Sequence, residues 1–139
     1  MPVKTLLKPT IKRLFDSAAK SEIFAHHLYQ HIGNQLQRLG MFGSQKYFLH
    51  ESAEEITHYQ KLADFVNDMG DVLSVPEVEK ITITIKTIGD ALEAAYKAAK
   101  AEYAQYQDQT QKASYSLQRS MGFNPFAASC IDLNSMPSI

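Results

Sequence analysis

Glu55 and His58 stand three residues apart, which sets a carboxylate and an imidazole on one face of a helix, one turn apart. A second carboxylate, Glu22, falls on an apolar stripe of the preceding segment. An ionisable side chain on the core face of a helix is costly unless it is paired or holds a metal. Carboxylates and an imidazole aimed into a bundle are the ligand set of two-metal helical proteins. Such donors can bind ferrous iron through the imidazole and favour the ferric state through hard oxygens. A Glu-x-x-His pair by itself is common and also fits surface residues or a buried hydrogen-bonded pair. Its weight comes from the elements around it.

Those elements read as long helices. Phe15, Ala18, Glu22, Ala25, Tyr29, Ile32 and Leu36 recur in alternating steps of three and four, the period of a buried helical stripe. Pro9 and Thr10 precede this segment, and Gly40 ends it, as glycine does just past a helix. The connection Gly40-Met41-Phe42-Gly43 is short, so the next helix runs back antiparallel. Ser44 is the expected N-cap of that second helix. Its stripe is Phe48, Glu51, Glu55, His58, Leu62, Phe65 and Met69, and Gly70 stops it.

Residues 71–87 have another character, with Pro76 and the β-branched run Ile81-Thr82-Ile83-Thr84-Ile85. Such a run ordinarily forms a strand, but no second strand candidate exists to pair with it. It is therefore expected to be an extended connection. About 17 extended residues reach at most about 55–60 Å, and a helix of about 27 residues is about 40 Å long. The connection can thus cross the whole bundle and start a third helix parallel to the second. That helix begins near Ile88-Gly89-Asp90 and reaches about Arg119, with Leu92, Ala95, Ala99, Glu102, Tyr106 and Gln109 as its stripe. The expected fold is all-α: an antiparallel helical bundle with a long crossover between the second and third helices. One helical domain covers residues 1–120, and an irregular tail covers 121–139.

Bulk properties narrow the function. The chain has 139 residues, with 14 basic and 15 acidic side chains and a formal net charge of −1, which leaves no electrostatic footprint for nucleic acid. No apolar run approaches a membrane span, and residues 1–15 make a poor signal peptide. The single cysteine, Cys130, excludes an internal disulfide framework and fits a reducing compartment. The expected location is cytoplasmic.

The run Lys46-Tyr47-Phe48-Leu49-His50, followed by Glu54-Glu55-Ile56-Thr57-His58 and Lys61-Leu62, resembles the second helix of non-haem ferritins. Glu22, with Tyr29 seven residues on, resembles the ferritin pair of a ferroxidase carboxylate and its neighbouring tyrosine. The resemblance covers about residues 10 to 110. It implies that Glu22 ligates one iron, Glu55 bridges two, His58 completes the first iron's shell, and Tyr29 hydrogen-bonds nearby or donates an electron. It also implies a glutamate from the third helix. Spacing alone lands near Lys100; Glu102 is in phase with Leu92, Ala95 and Ala99, whereas Glu93 is nearer the helix start and out of phase. The implied function is oxidation of Fe(II) by dioxygen or peroxide at a di-iron site, serving iron storage or detoxification, in a homo-oligomer.

The chain departs from the family where a fourth long helix would follow. Another chain supplies the missing face, or this is a three-helix relative, or the reading frame changes after about Ser114. A non-catalytic ferritin-fold scaffold with a degenerate metal site is the alternative function. A di-iron hydroxylase or rubrerythrin relative ranks below both, since no rubredoxin-like cysteine motif is present. Haem is not expected, because the second helix carries a methionine only at its end, Met69.

Other ionisable and aromatic residues carry weaker signals. Glu51 fits an outer ligand or an edge glutamate. Glu54 fits a solvated face better than a guide for iron. His26, His27, His31 and His50 read as structural or surface, and Tyr96, Tyr103, Tyr106 and Tyr115 as packing or interface residues.

Overall fold

A computed structural model describes residues 4–120 of the chain, with side chains placed through Ala104 and at Gln107 and Asp108. The expected tail, and the side chains of Tyr106, Gln109 and Tyr115, lie outside the described residues. Three helices form: α1 (Pro9–Arg38), α2 (Phe42–Asp68) and α3 (Ile88–Ser120). No strand forms among the described residues, and no helix there is long and apolar enough to cross a membrane.

Pro9 opens α1 at its first position, where the missing N–H costs no hydrogen bond and the fixed φ suits the helix. α1 and α2 end alike. Gly40 (φ 78°) and Gly70 (φ 83°) take the left-handed conformation. The Gly40 N–H donates to Gln37 O and the Met41 N–H to Leu36 O, both at 2.9 Å; the Gly70 and Asp71 N–H groups do the same to Asn67 O and Val66 O. Each is a Schellman motif that satisfies the last carbonyls of its helix.

The first of these motifs explains a correction at the start of α2. Ser44 is not its N-cap: Met41 holds that position, and Ser44 lies inside the first turn. The glycine turn redirects the chain so tightly that Met41 O already accepts the Gln45 N–H at 2.9 Å. At α3 the cap is explicit. Thr87 Oγ1 accepts the Asp90 N–H at 3.1 Å, and Asp90 Oδ2 accepts the Thr87 and Lys86 N–H groups at 3.2 and 3.0 Å. This is a capping box with aspartate in the third helical position.

α1 and α2 pack antiparallel. Phe15 stacks on Phe65 at one end, with ring centroids 5.1 Å apart, and Gly33 meets Leu49 at the other. A Cβ on Gly33 would stand 3.0 Å from Leu49 Cδ2, so the glycine permits this approach. The crossover then travels the length of α1. Tyr59 Oη donates to Leu73 O at 3.1 Å near its start. Near its end, Gln35 Nε2 donates to Ile83 O at 2.6 Å and Gln35 Oε1 accepts the Ile85 N–H at 2.5 Å. The side-chain amide of Gln35 thus does for the β-branched run what a neighbouring strand would do. α3 consequently runs antiparallel to α1 and parallel to α2.

The row of α3 packed towards α1 differs in part from the expected stripe. Ala91 is fully buried and Ala94, Ala95 and Ala98 pack against the core. Leu92 is 56% exposed. Small side chains let α3 approach α1 closely, which turns Leu92 outward, together with Tyr96 and Tyr103.

The apolar core is split. One cluster gathers Ile11, Phe15, Ile23, Leu62 and Val66. The other gathers Leu28, Tyr29, Ile32, Leu36 and Phe48. Between them lies a layer of ionisable side chains.

Candidate metal centre

α1 contributes Glu22 to that layer, α2 contributes Glu55 and His58, and α3 contributes Glu102. Their relative exposures are 1%, 3%, 7% and 6%. Buried apolar residues flank two of them along their helices, Ile23 and Ala25 around Glu22 and Tyr59 and Leu62 beyond His58.

His58 Nδ1 sits between two carboxylates, 3.3 Å from Glu22 Oε2 and 3.3 Å from Glu55 Oε2. One donor atom from each of the three residues lies within 4.8 Å of the others. Two donors bound to one ion at about 2.1 Å are themselves about 3.0–3.4 Å apart in octahedral or tetrahedral geometry. The 3.3 Å separations match that spacing. Glu22 Oε2 is buried with no hydrogen-bond partner, its approach to His58 being an ion-pair contact. A buried acceptor left in this state is a cost the fold tolerates for a reason. Hard oxygens plus one imidazole suit a divalent first-row ion.

The electrostatics describe the proton state of the layer. Burial, opposed by the neighbouring His58 imidazole but aided by the carboxyl groups of Glu55 and Glu102, pushes Glu22 well above the carboxylate range. Burial also pushes on Glu55, but hydrogen bonds with His58 and Glu22 and the His58 charge outweigh it and hold Glu55 below 4.5. The carboxyl groups of Glu22 and Glu55 beside its Nδ1 push His58 up to about 10 against its own burial. Glu102 is raised to about 7, first by burial and then by the Glu55 charge. At neutral pH the metal-free layer is therefore an imidazolium–carboxylate pair beside a protonated Glu22. A dication would displace those protons.

Tyr29 is 3% exposed and packs its ring against Phe48 at 6.1 Å. Burial and the charges of Glu55 and Glu102 raise its phenol far above the usual value, so it stays protonated. Glu93 is exposed and pairs with Lys97 at 3.0 Å, whereas Glu102 is buried but is not one of the three residues whose donor atoms converge within 4.8 Å. Glu51 is half-buried, and Glu54 is exposed, 3.6 Å from His50. His27 is exposed, and His31 Nε2 donates to Ile83 O at 2.6 Å.

His26 has a partner that sequence reasoning missed. Its Nδ1 donates to Ser52 O at 2.7 Å and lies 2.9 Å from Ser52 Oγ, which donates to His26 O at 2.8 Å. Ser52 shares the face of Glu55 one turn earlier, and that register was the available signal.

A family model described as the ferritin-like domain matches residues 13–115. A protein of Haemophilus influenzae named as a probable bacterial non-heme ferritin-like protein is 22% identical over 95 residues, which is 68% of this chain and 58% of that protein. The chain thus spans a little over half the length of that relative. Among solved structures, the ferritin of Chlorobium tepidum aligns with a TM-score of 0.79 at 22% identity, over 93% of this chain and 77% of that one. The ferritin of M. penetrans aligns with a TM-score of 0.72 at 14% identity, over 93% of this chain and 98% of that one. At these identities the structural likeness establishes the fold, an all-α helical bundle. With the family model matching most of its length, the chain belongs to the ferritin-like domain family.

Proposed function

We propose that this protein binds ferrous iron at Glu22, Glu55 and His58 and oxidises it with dioxygen or peroxide. The observation that carries the reading is the buried three-donor group with its orphaned Glu22 oxygen. Iron is here the substrate. Glu22 and His58 hold one ion, Glu55 is shared, and Glu102, within electrostatic reach of Glu22 and Glu55, serves a second ion. Two ions near one carboxylate can deliver two electrons to one oxidant. The protonated Tyr29 stands beside the layer as a hydrogen-bond donor or electron donor. The exposed row of Leu92, Tyr96 and Tyr103 fits a chain that works in an assembly, and we propose a homo-oligomer.

One observation favours a second reading. Among the described residues, three helices surround the layer. A non-catalytic scaffold with one weak metal position is compatible with that arrangement. Anaerobic Fe(II) titration separates the two. The ferroxidase reading expects about two irons per chain, then an oxygen-dependent absorbance change that Glu55→Ala abolishes. Zero or one iron with no oxygen consumption supports the scaffold.

A further inference from the structure

An open cleft of about 380 Å³ lies between α1, the crossover and α3. It is many times the ~30 Å³ that a water molecule occupies in the liquid, so a hydrated cation fits. Its lining changes with depth. Lys20 and Glu79 are exposed, Ser21 and Ala98 are half-buried, and Glu102 is buried. Glu102 therefore belongs to two features at once: it lines the cleft, and it is charge-coupled to Glu22 and Glu55 in the ionisable layer. Ala98 and Ala101 keep the α3 wall low, and larger side chains there would narrow the gap.

We infer that this cleft is the path by which a divalent cation reaches the buried centre, received by Glu102 and steered at the surface by Glu79 against the opposing charge of Lys20. The inference rests on the metal-binding reading above and adds the route and the residues that control it. Fixed charges at the mouth of a low-dielectric passage change the arrival rate of an ion, and salt weakens the effect. Among the described residues, neither Lys20 nor Glu79 is in an ion pair within 4.0 Å, so both act on an arriving ion. Once the ion arrives, Glu102 offers the first carboxylate and the Glu22–Glu55–His58 group the final donors.

The test is stopped-flow binding of Co(II), followed by its visible absorption, with chelator-driven release as the second readout. Ala101→Phe narrows the cleft from an exposed position and should slow association by about tenfold or more while leaving the number of ions bound at saturation unchanged. Glu79→Gln should slow association about two- to fivefold at low salt, Lys20→Gln should speed it by a similar factor, and both effects should fade at high salt. These two surface variants leave the core untouched, so a folding defect in Ala101→Phe does not remove the test. Unchanged rates in all three variants, with Glu54→Gln on the α2 surface slowing association instead, would overturn the route while leaving the metal site intact. Failure of the unmodified protein to bind Co(II) at all would overturn both.

Discussion

The seam between α1 and α2 holds two polar layers about one helical turn apart, and they are built to opposite rules. In one, His26 and Ser52 satisfy each other: imidazole to carbonyl, hydroxyl to carbonyl, with distances of 2.7 and 2.8 Å. In the other, His58 is shared between Glu22 and Glu55 at 3.3 Å to each, and a Glu22 oxygen has no hydrogen-bond partner. The first layer is a closed fastener. The second is unfinished without a further positive charge. Two histidines on one interface thus differ in purpose, and hydrogen-bond satisfaction, not residue type, separates them.

Substitution of Glu22 should break the contrast most strongly. Glu22→Leu removes the orphaned acid and fills its space with apolar volume. Metal affinity is expected to fall at least about 100-fold, which is about 2.7 kcal/mol. The metal-free protein should meanwhile hold or gain stability, by about 1–3 kcal/mol. Calorimetric metal titration and thermal melts of the chelator-treated protein read the two effects.

pH should separate the layers next. The free energy of Glu102 favours the folded state below its ordinary 4.5, and that contribution is lost as pH rises towards its folded value of about 7. Raised Glu22 acts in the same direction. The contribution of His58 is full below 6.5 and lost as pH rises through about 10. Glu55, lowered, contributes above 4.5 and loses stability only under acid. The metal-free protein should therefore lose on the order of a few kcal/mol between about pH 5 and pH 9, seen as a falling denaturation midpoint. Saturating metal should flatten or reverse that slope, because the metal competes with protons for the same atoms.

Ser52→Ala tests the satisfied layer. It leaves the His26 carbonyl without its hydroxyl donor and should cost about 1–3 kcal/mol, while metal affinity stays within about twofold. A loss of metal binding equal to that of Glu22→Leu would erase the distinction between the layers. The smallest expected effect sharpens the role of α3. Glu102→Gln should weaken metal binding by about tenfold, or about 1.4 kcal/mol, and Glu93→Gln, at an exposed pair with Lys97, should leave it unchanged by the same titration.

Much of the frame was legible because helical period and glycine stops are strong local signals. The stripe of α1 and the turns at Gly40 and Gly70 lie where spacing puts them; along α2, Phe48, Glu55, His58 and Leu62 are buried as expected, but Ser52, Tyr59 and Val66 are buried where Glu51, Phe65 and Met69 were expected, and the unpaired β-branched run is an extended crossover. What escaped depended on partners distant in sequence. Leu92 turns outward because alanines set the approach of α3 to α1. Ser44 loses its capping role to a turn that begins at Leu36. Gln35 anchors the crossover 48 and 50 residues away. Glu22, Glu55 and His58 carried a signal as ionisable groups on apolar stripes, and the fold brings them to one point. Ser52 is small, polar and unremarkable in a sequence, and only the opposing helix gives it meaning.

The central claim is that protons occupy a place made for a metal ion. Calorimetric titration of the metal-free protein with Fe(II), run anaerobically at neutral pH in two buffers of different ionisation enthalpy, tests it directly. The account predicts saturable binding with at least one proton released per chain as the first ion enters, both lost in Glu22→Leu. No binding, or binding that releases no proton and persists in Glu22→Leu, would contradict it.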